Sequence, residues 1–283
     1  MSTRCQTPFH KKMELVPGVE TSYMALPCGK CPACVRRRVS GWAFRLHKHS
    51  EHSKSAHFVT LTYSDENIKY TKNRWPTLVK KDLQDFFKRL RKLTKQKISY
   101  YAVGEYGDLT DRPHYHIILF NANPKLVEDA WSIRNVTIGN VHFGDVSGSS
   151  INYVLSYINK KWNGRGFGEL DDRQREFAVM SKGLGAGYLS ERVVEWHTKG
   201  NIENKVYLPL KDGKKAAMPR YYKDKLYDKG QKFRIGVFMR ADTEKQAEKL
   251  MEEHGDLYDY RMAQIVQNDF KRMERRAKKR QKI

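Results

Sequence analysis

Acidic residues are scarce in this chain: 32 Asp and Glu stand against 54 Lys and Arg, a formal charge of +22. A field of that sign attracts polyanions and is costly to hold without one, so nucleic acid is the first expected partner. An anionic membrane surface is a distant second. Long apolar runs are missing as well. No 18-residue apolar segment occurs, which excludes a helix that spans a bilayer. The opening MSTRCQTPFH has no apolar h-region, so no secretory signal is expected and the chain is placed in the cytoplasm. Cysteine is limited to Cys5, Cys28, Cys31 and Cys34, all near the N-terminus. In a reducing compartment these are thiols or metal ligands rather than a disulfide framework. Internal repeats and low-complexity linkers are absent. What is present is a folding composition, 39% hydrophobic and 12% aromatic.

Periodicity organises the chain. HFVTLTY (57–63) alternates and is β-branched, which predicts a strand. Leu83, Phe86, Phe87, Leu90 and Leu93 recur at helical spacing, with Thr77 expected as the cap. ISYYAVGEYG (98–107) and HYHIILF (114–120) read as two strands joined by turn chemistry. A short helix from Pro124, one or two strands over 135–146 and a helix from Ile151 to Trp162 follow. The order β-α-β-β-α-β-α predicts an α+β fold, an antiparallel sheet backed by helices in the split βαβ manner. Four regions are expected: a Cys-rich basic segment (1–56), the core (57–165), an extension of the core that contacts DNA (166–240) and a helical basic tail (241–283). A hairpin is expected from VYLPL and AMPRYY around Asp212-Gly213.

Residues two apart on a strand share a face, so His114 and His116 project together. Paired imidazoles are half of a divalent-metal site or a coincidence of core packing. If 98–107 and 114–120 pair as a hairpin, Glu105 joins them on that face. Two imidazoles and a carboxylate suit Mg²⁺ or Mn²⁺ acting as a Lewis acid on a phosphodiester. Tyr153 and Tyr157 stand four apart on the expected helix, with Cβ atoms about 5–6 Å apart and Lys160 and Lys161 just beyond. A tyrosine beside a polarised phosphate is a nucleophile that forms a phosphotyrosine. Paired tyrosines on an amphipathic helix also serve simply to pack on a sheet. The conjunction of these features with the charge points to metal-assisted cleavage of single-stranded DNA.

Several segments, in order, resemble the HUH endonucleases, and more narrowly the replication initiators of microviruses of the gokushovirus type. They are VTLTYSDENI (59–68), GEYG with RPHYHIILF, YVLSYINKK, LPCGKCPACVRRR (26–38), SKGLGAGYL (181–189) and MPRYYKDKLY (218–227). The resemblance implies an RRM-like core and His114 and His116 as metal ligands, with Glu105 as the third. It also implies Tyr153 and Tyr157 as nucleophiles that nick and rejoin in turn. Where an assisting lysine commonly stands near the tyrosines this chain has Ser156, and the role falls to Lys160. The implied reaction is an origin nick that leaves a 5′-phosphotyrosine and a 3′-OH primer for rolling-circle replication. The protein would then be phage-encoded and act in the cytoplasm of a bacterial host. No Gly-x-x-x-x-Gly-Lys-Ser/Thr loop occurs, so helicase and polymerase are expected from the host.

Holding single-stranded DNA needs cations and stacking rings. Candidates are Arg112, Lys161, Trp162, Arg165, Arg220, Tyr221 and Tyr222. The four cysteines read either as a structural Zn²⁺ site or as reduced thiols, partly buried. A transposase or plasmid initiator with the same chemistry is an alternative, as is a non-catalytic basic DNA-binding protein.

Overall fold

A computed structural model describes residues 5–13, 22–107, 110–160, 168–210 and 213–280. Two compact units divide the chain, one formed by Met1–Gly41 with Leu189–Arg280, the other by Trp42–Tyr188. The first unit opens with an antiparallel hairpin, β1 (Phe9–Met13) and β2 (Ser22–Leu26), paired from Phe9↔Leu26 to Met13↔Ser22. The helix α1 (Pro32–Glu51) follows, and the boundary between the units falls within it.

The second unit is an α+β layer structure. Its elements are β3 (Ala56–Thr62), the short pair β4 (Lys69–Tyr70) and β5 (Pro76–Thr77), α2 (Lys80–Leu93), β6 (Ser99–Tyr106) and β7 (Pro113–Phe120). Then come α3 (Pro124–Ala130), the short pair β8 (Ser132–Ile133) and β9 (Val136–Thr137), β10 (Val141–Asp145), α4 (Gly148–Lys160) and β11 (Phe177–Met180). Five strands form one antiparallel sheet in the order β10-β3-β7-β6-β11. Because side chains alternate across a strand, Val59, Leu61, Ala102, Tyr115, Ile117 and Leu119 turn to one face. There they meet Leu83, Phe86, Phe87 and Leu90 of α2, Val127 and Ala130 of α3, and Trp131. The alternate residues, His114 and His116 among them, are left for the opposite face.

Local chemistry explains where elements begin. Pro124 opens α3 behind Asn123, whose side chain accepts from the Lys125 amide at 3.1 Å. Thr77 does not cap α2; it belongs to β5, and its hydroxyl accepts from the Gln174 amide at 2.9 Å. The Gln174 side chain instead accepts from the Lys80 amide at 2.9 Å, so a residue far along the chain satisfies the helix's first donor. The loop before that helix is fixed by the buried Tyr115 hydroxyl. It accepts from the Val79 amide at 2.9 Å and lies 2.8 Å from the Tyr63 hydroxyl. Burial pushes the Tyr115 phenol up to about 12, so it stays protonated and able to donate.

The rest of the first unit comprises α5 (Glu191–Thr198), the pair β12 (Tyr207–Pro209) and β13 (Lys215–Ala217), α6 (Arg220–Leu226), α7 (Lys229–His254) and α8 (Tyr258–Arg280). The expected hairpin is therefore shorter than AMPRYY. Pro219 ends it and its carbonyl takes the Tyr222 and Lys223 amides, which starts α6. The terminal helical region begins at Lys229 rather than at 241, because Asp228 and Gln231 form a reciprocal capping box there.

One backbone crossing tests the sheet's construction. Thr62 and Ser64 donate their amides to Asn140 and Ile138 at 3.0 Å each, and the Trp131 indole donates to the Thr62 carbonyl at 2.9 Å. Gly139 lies between, and a Cβ there would stand 1.8 Å from the Thr62 oxygen. Gly139→Ala is expected to destabilise this unit by about 2 kcal/mol, the cost of a main-chain clash that cannot relax. Urea unfolding checks this, and an unchanged midpoint contradicts it.

Candidate metal and nucleophile site

The face opposite the main core carries the functional candidates, and strand register brings them together. In β6–β7 pairing Glu105 stands across from His114 and Val103 across from His116. In β3–β7 pairing Thr60 stands across from His116. Glu105 is 2% exposed, and its Oε1 lies 2.9 Å from His114 Nε2 and 2.7 Å from His116 Nε2. The three residues offer ligand atoms within 4.8 Å of one another.

Hydrogen bonding decides what this arrangement needs. His114 Nδ1 is 3.0 Å from the Arg112 carbonyl, which can only accept, so Nδ1 carries the proton. In the neutral ring Nε2 is then a lone pair that points at a carboxylate oxygen. Two acceptors at that distance repel unless a cation, a proton or a metal ion, lies between them. His116 Nδ1 meets the Thr60 hydroxyl at 2.9 Å, which orients its Nε2 toward the same carboxylate. Outer partners of this kind set ring orientation and basicity at histidine–metal sites. The donor set of two imidazole nitrogens and a carboxylate fits a divalent cation with positions left open for oxygen ligands.

Aromatic rings enclose the site. The Phe58 ring stacks on His116 at 5.6 Å, nearly coplanar, and Tyr157 lies at 6.0 Å from it at a low angle. Tyr153 meets His116 edge-on at 5.1 Å. The two tyrosines, one turn apart on α4, differ in access: Tyr153 is 46% exposed and Tyr157 only 9%. The Tyr153 hydroxyl donates to Glu105 Oε1 at 3.5 Å. His114, His116, Glu105, Tyr153 and Tyr157 thus form one cluster.

Other candidates fare differently. Lys160 ends α4, and its side chain lies outside the described residues, as do Lys161, Trp162 and Arg165 altogether. Arg112 is already engaged, by Asp65 and by the Tyr63 carbonyl at 2.6 Å. Arg220, Tyr221 and Tyr222 belong to α6 of the other unit. Arg220 is exposed and pairs with Asp224 at 3.2 Å. Tyr222 is fully buried, which corrects its expected place among the DNA-stacking rings: a side chain inside the core offers no face to a base. Sequence reasoning missed Thr60 and Phe58. The alternation of HFVTLTY already put these two on one face, but only the β3–β7 register puts that face beside His116.

A second cluster occupies the first unit. Cys5, Cys28, Cys31 and Cys34 also bring their ligand atoms within 4.8 Å of one another. Burial pushes the Cys28 thiol up, but the Thr7 hydroxyl and the Cys31 and Lys30 amides aimed at it prevail and bring it down to about 6. Burial pushes Cys34 the other way, to about 12.

Thr60→Val tests the outer partner of His116. It is expected to weaken binding of Mn²⁺, used as the probe ion, by about 10- to 100-fold while leaving the fold intact. Titration followed by electron paramagnetic resonance reads this, and unchanged affinity contradicts the assignment.

Comparison with known proteins agrees with this geometry. Residues 56–162 match the family model of the replication-associated proteins of ORF2 type. The replication-associated protein VP4 of Bdellovibrio phage phiMH2K is 28% identical over 221 residues, 72% of this chain and 68% of that protein. The replication-associated protein ORF2 of Spiroplasma virus 4 is 30% identical over 217 residues, 70% of this chain and 66% of that one. The replication-associated protein ORF4 of Chlamydia phage 1 is 27% identical over 229 residues, 71% of this chain and 53% of its own length. No solved structure matches. The matched family region holds the two histidines, Glu105 and both tyrosines. The chain belongs to the phage replication-associated proteins and is a replication initiator of the microvirus type.

Proposed function

We propose that this protein is an HUH-type endonuclease, with an RRM-like core, that nicks single-stranded DNA at the replication origin by a tyrosine. The observation that carries the proposal is the Tyr153 hydroxyl, held 3.5 Å from the buried carboxylate that also faces both histidines. His114, His116 and Glu105 would hold Mg²⁺ or Mn²⁺, which when bound supplies Lewis-acid polarisation of the scissile phosphate.

The chain's own residues do the rest. Tyr153, the more exposed tyrosine, acts first. Its phenol oxygen attacks phosphorus and its proton passes to solvent. The new bond from tyrosine oxygen to phosphorus replaces the bond to the 3′ oxygen, which takes up a proton and becomes the 3′-OH primer. Tyr157 is reserved for the later step. There the DNA 3′-OH displaces tyrosine from the phosphotyrosine and rejoins the displaced strand. Because each step exchanges one phosphodiester for another, neither needs ATP. Lys160 and Lys161 follow the tyrosines and would attract the strand, with Trp162, Arg165, Arg220 and Tyr221 as further contacts. The expected setting is the cytoplasm of a bacterial host that supplies helicase and polymerase.

Single strands that tile the gene and its flanks, labelled and incubated with protein and Mn²⁺, test the proposal on a denaturing gel. Wild type and Tyr157→Phe are expected to give a protease-sensitive DNA adduct, whereas Tyr153→Phe gives none. His114→Ala with His116→Ala is expected to lose cleavage but keep bulk DNA affinity, since phosphate contacts dominate that term. Full adduct yield in Tyr153→Phe sinks the order proposed here. Full yield in the double histidine variant sinks the metal role.

A further inference from the structure

The four cysteines stand outside the nicking chemistry, yet they form the more completely built metal cradle. Four sulfurs at ~2.3 Å from a single ion lie about 3.8 Å from one another at the corners of a tetrahedron. Cys31 and Cys5 already stand at 3.9 Å, and all four sulfurs lie within 4.8 Å. That spacing suits one ion; a cluster of several irons spreads its four cysteine sulfurs farther apart.

The sulfurs are also oriented by donors. Cys28 Sγ receives the Thr7 hydroxyl at 3.3 Å and the Lys30 and Cys31 amides at 3.2 Å each. Cys5 Sγ receives the Cys28 amide at 3.2 Å, and Cys31 Sγ the Gln6 amide at 3.3 Å. Amides aimed at sulfur stabilise the thiolate, the form that binds metal. Cys31 and Cys34 are buried against Ala33, with Phe270 of α8 packed on them.

The site's location says what it would do. Cys5 precedes β1 and Cys28 follows β2, so the two flank the open end of a hairpin whose end pair is Phe9↔Leu26. A hairpin of two strands is marginal alone and needs a fastening. Gln6, next to Cys5, donates its side-chain amide to Asp269 of α8 at 2.9 Å, and Arg36 of α1 donates to the same carboxylate oxygen at 3.1 Å. Asp269 is 3% exposed, so these bonds are shielded from water. We propose that Cys5, Cys28, Cys31 and Cys34 bind one Zn²⁺ as thiolates, and that the ion is a clasp fastening residues 5–7, the start of α1 and the basic helix α8. Binding displaces the thiol protons to solvent and is coupled to folding of this region. Closed sulfur coordination makes the role structural, separate from any ion at His114 and His116.

The full-length protein, purified without chelator, is analysed for metal by mass spectrometry. One zinc per chain is expected, retained in His114→Ala/His116→Ala and lost in Cys28→Ser and Cys31→Ser. Cobalt exchanged into the wild type is expected to give tetrahedral d–d bands with sulfur charge transfer. This readout stands even if the cysteine variants fold poorly. Asp269→Asn separates clasp from ligand: it is expected to keep zinc but lose protection of α8 from trypsin at Lys271 and Arg272. Chelated wild type is expected to lose that protection too. Absence of zinc, iron in its place, or zinc retained in both cysteine variants overturns the site. Undiminished protection after chelation overturns the clasp.

Discussion

The buried carboxylate of Glu105 is the constraint around which the sheet face is arranged. It lies in the central β6–β7 pair, directly across from His114, with two imidazole nitrogens within hydrogen-bond distance. A carboxylate removed from water costs several kcal/mol unless opposite charge or donors compensate it. The Arg112 carbonyl fixes the His114 tautomer so that a lone pair, not a proton, faces Glu105. The site is therefore built around a deficit of positive charge, in a chain whose total charge is +22. Everything else on that face follows from this: Thr60 and Phe58 orient His116, and α4 lays Tyr153 across the opening.

Tyr153 and Tyr157 share a helix face yet occupy different environments, one partly open and one nearly closed. That asymmetry comes from the sheet beneath. Tyr157 lies almost flat over His116, whereas Tyr153 meets the same ring by its edge and keeps its hydroxyl near Glu105. A reaction of two successive transesterifications needs two nucleophiles of different access, and the geometry supplies them without a second site. The two candidate metal centres differ in a parallel way. Nitrogen and oxygen ligands leave coordination positions open for a phosphate, while four sulfurs close around their ion.

The site was legible in the sequence because its logic is local. Alternation on a strand paired His114 with His116, a tight turn brought Glu105 opposite, and helical spacing aligned the tyrosines. What depended on distant pairing was not legible. The Gln174 side chain, far along the chain, satisfies the start of α2, so Thr77 looked like its cap. The four-residue strand β11 is too short to show a period, and it joins the sheet only by pairing with β6. Tyr222 carried the same sequence signal as an exposed ring beside Arg220. Its burial comes from the turn at Pro219 that makes RYYKDKL a helix rather than a strand.

The central claim is that Tyr153 becomes covalently joined to DNA at a site organised by Glu105 and the two histidines. Its most direct test is peptide mapping of the protein after reaction with its origin strand and Mn²⁺, followed by nuclease and trypsin digestion. The account expects a phosphonucleotide remnant on the peptide at Tyr153, absent when the ion is withheld or Glu105 is replaced by Ala. A remnant on a tyrosine outside α4, or one that forms equally well without the ion, would contradict it.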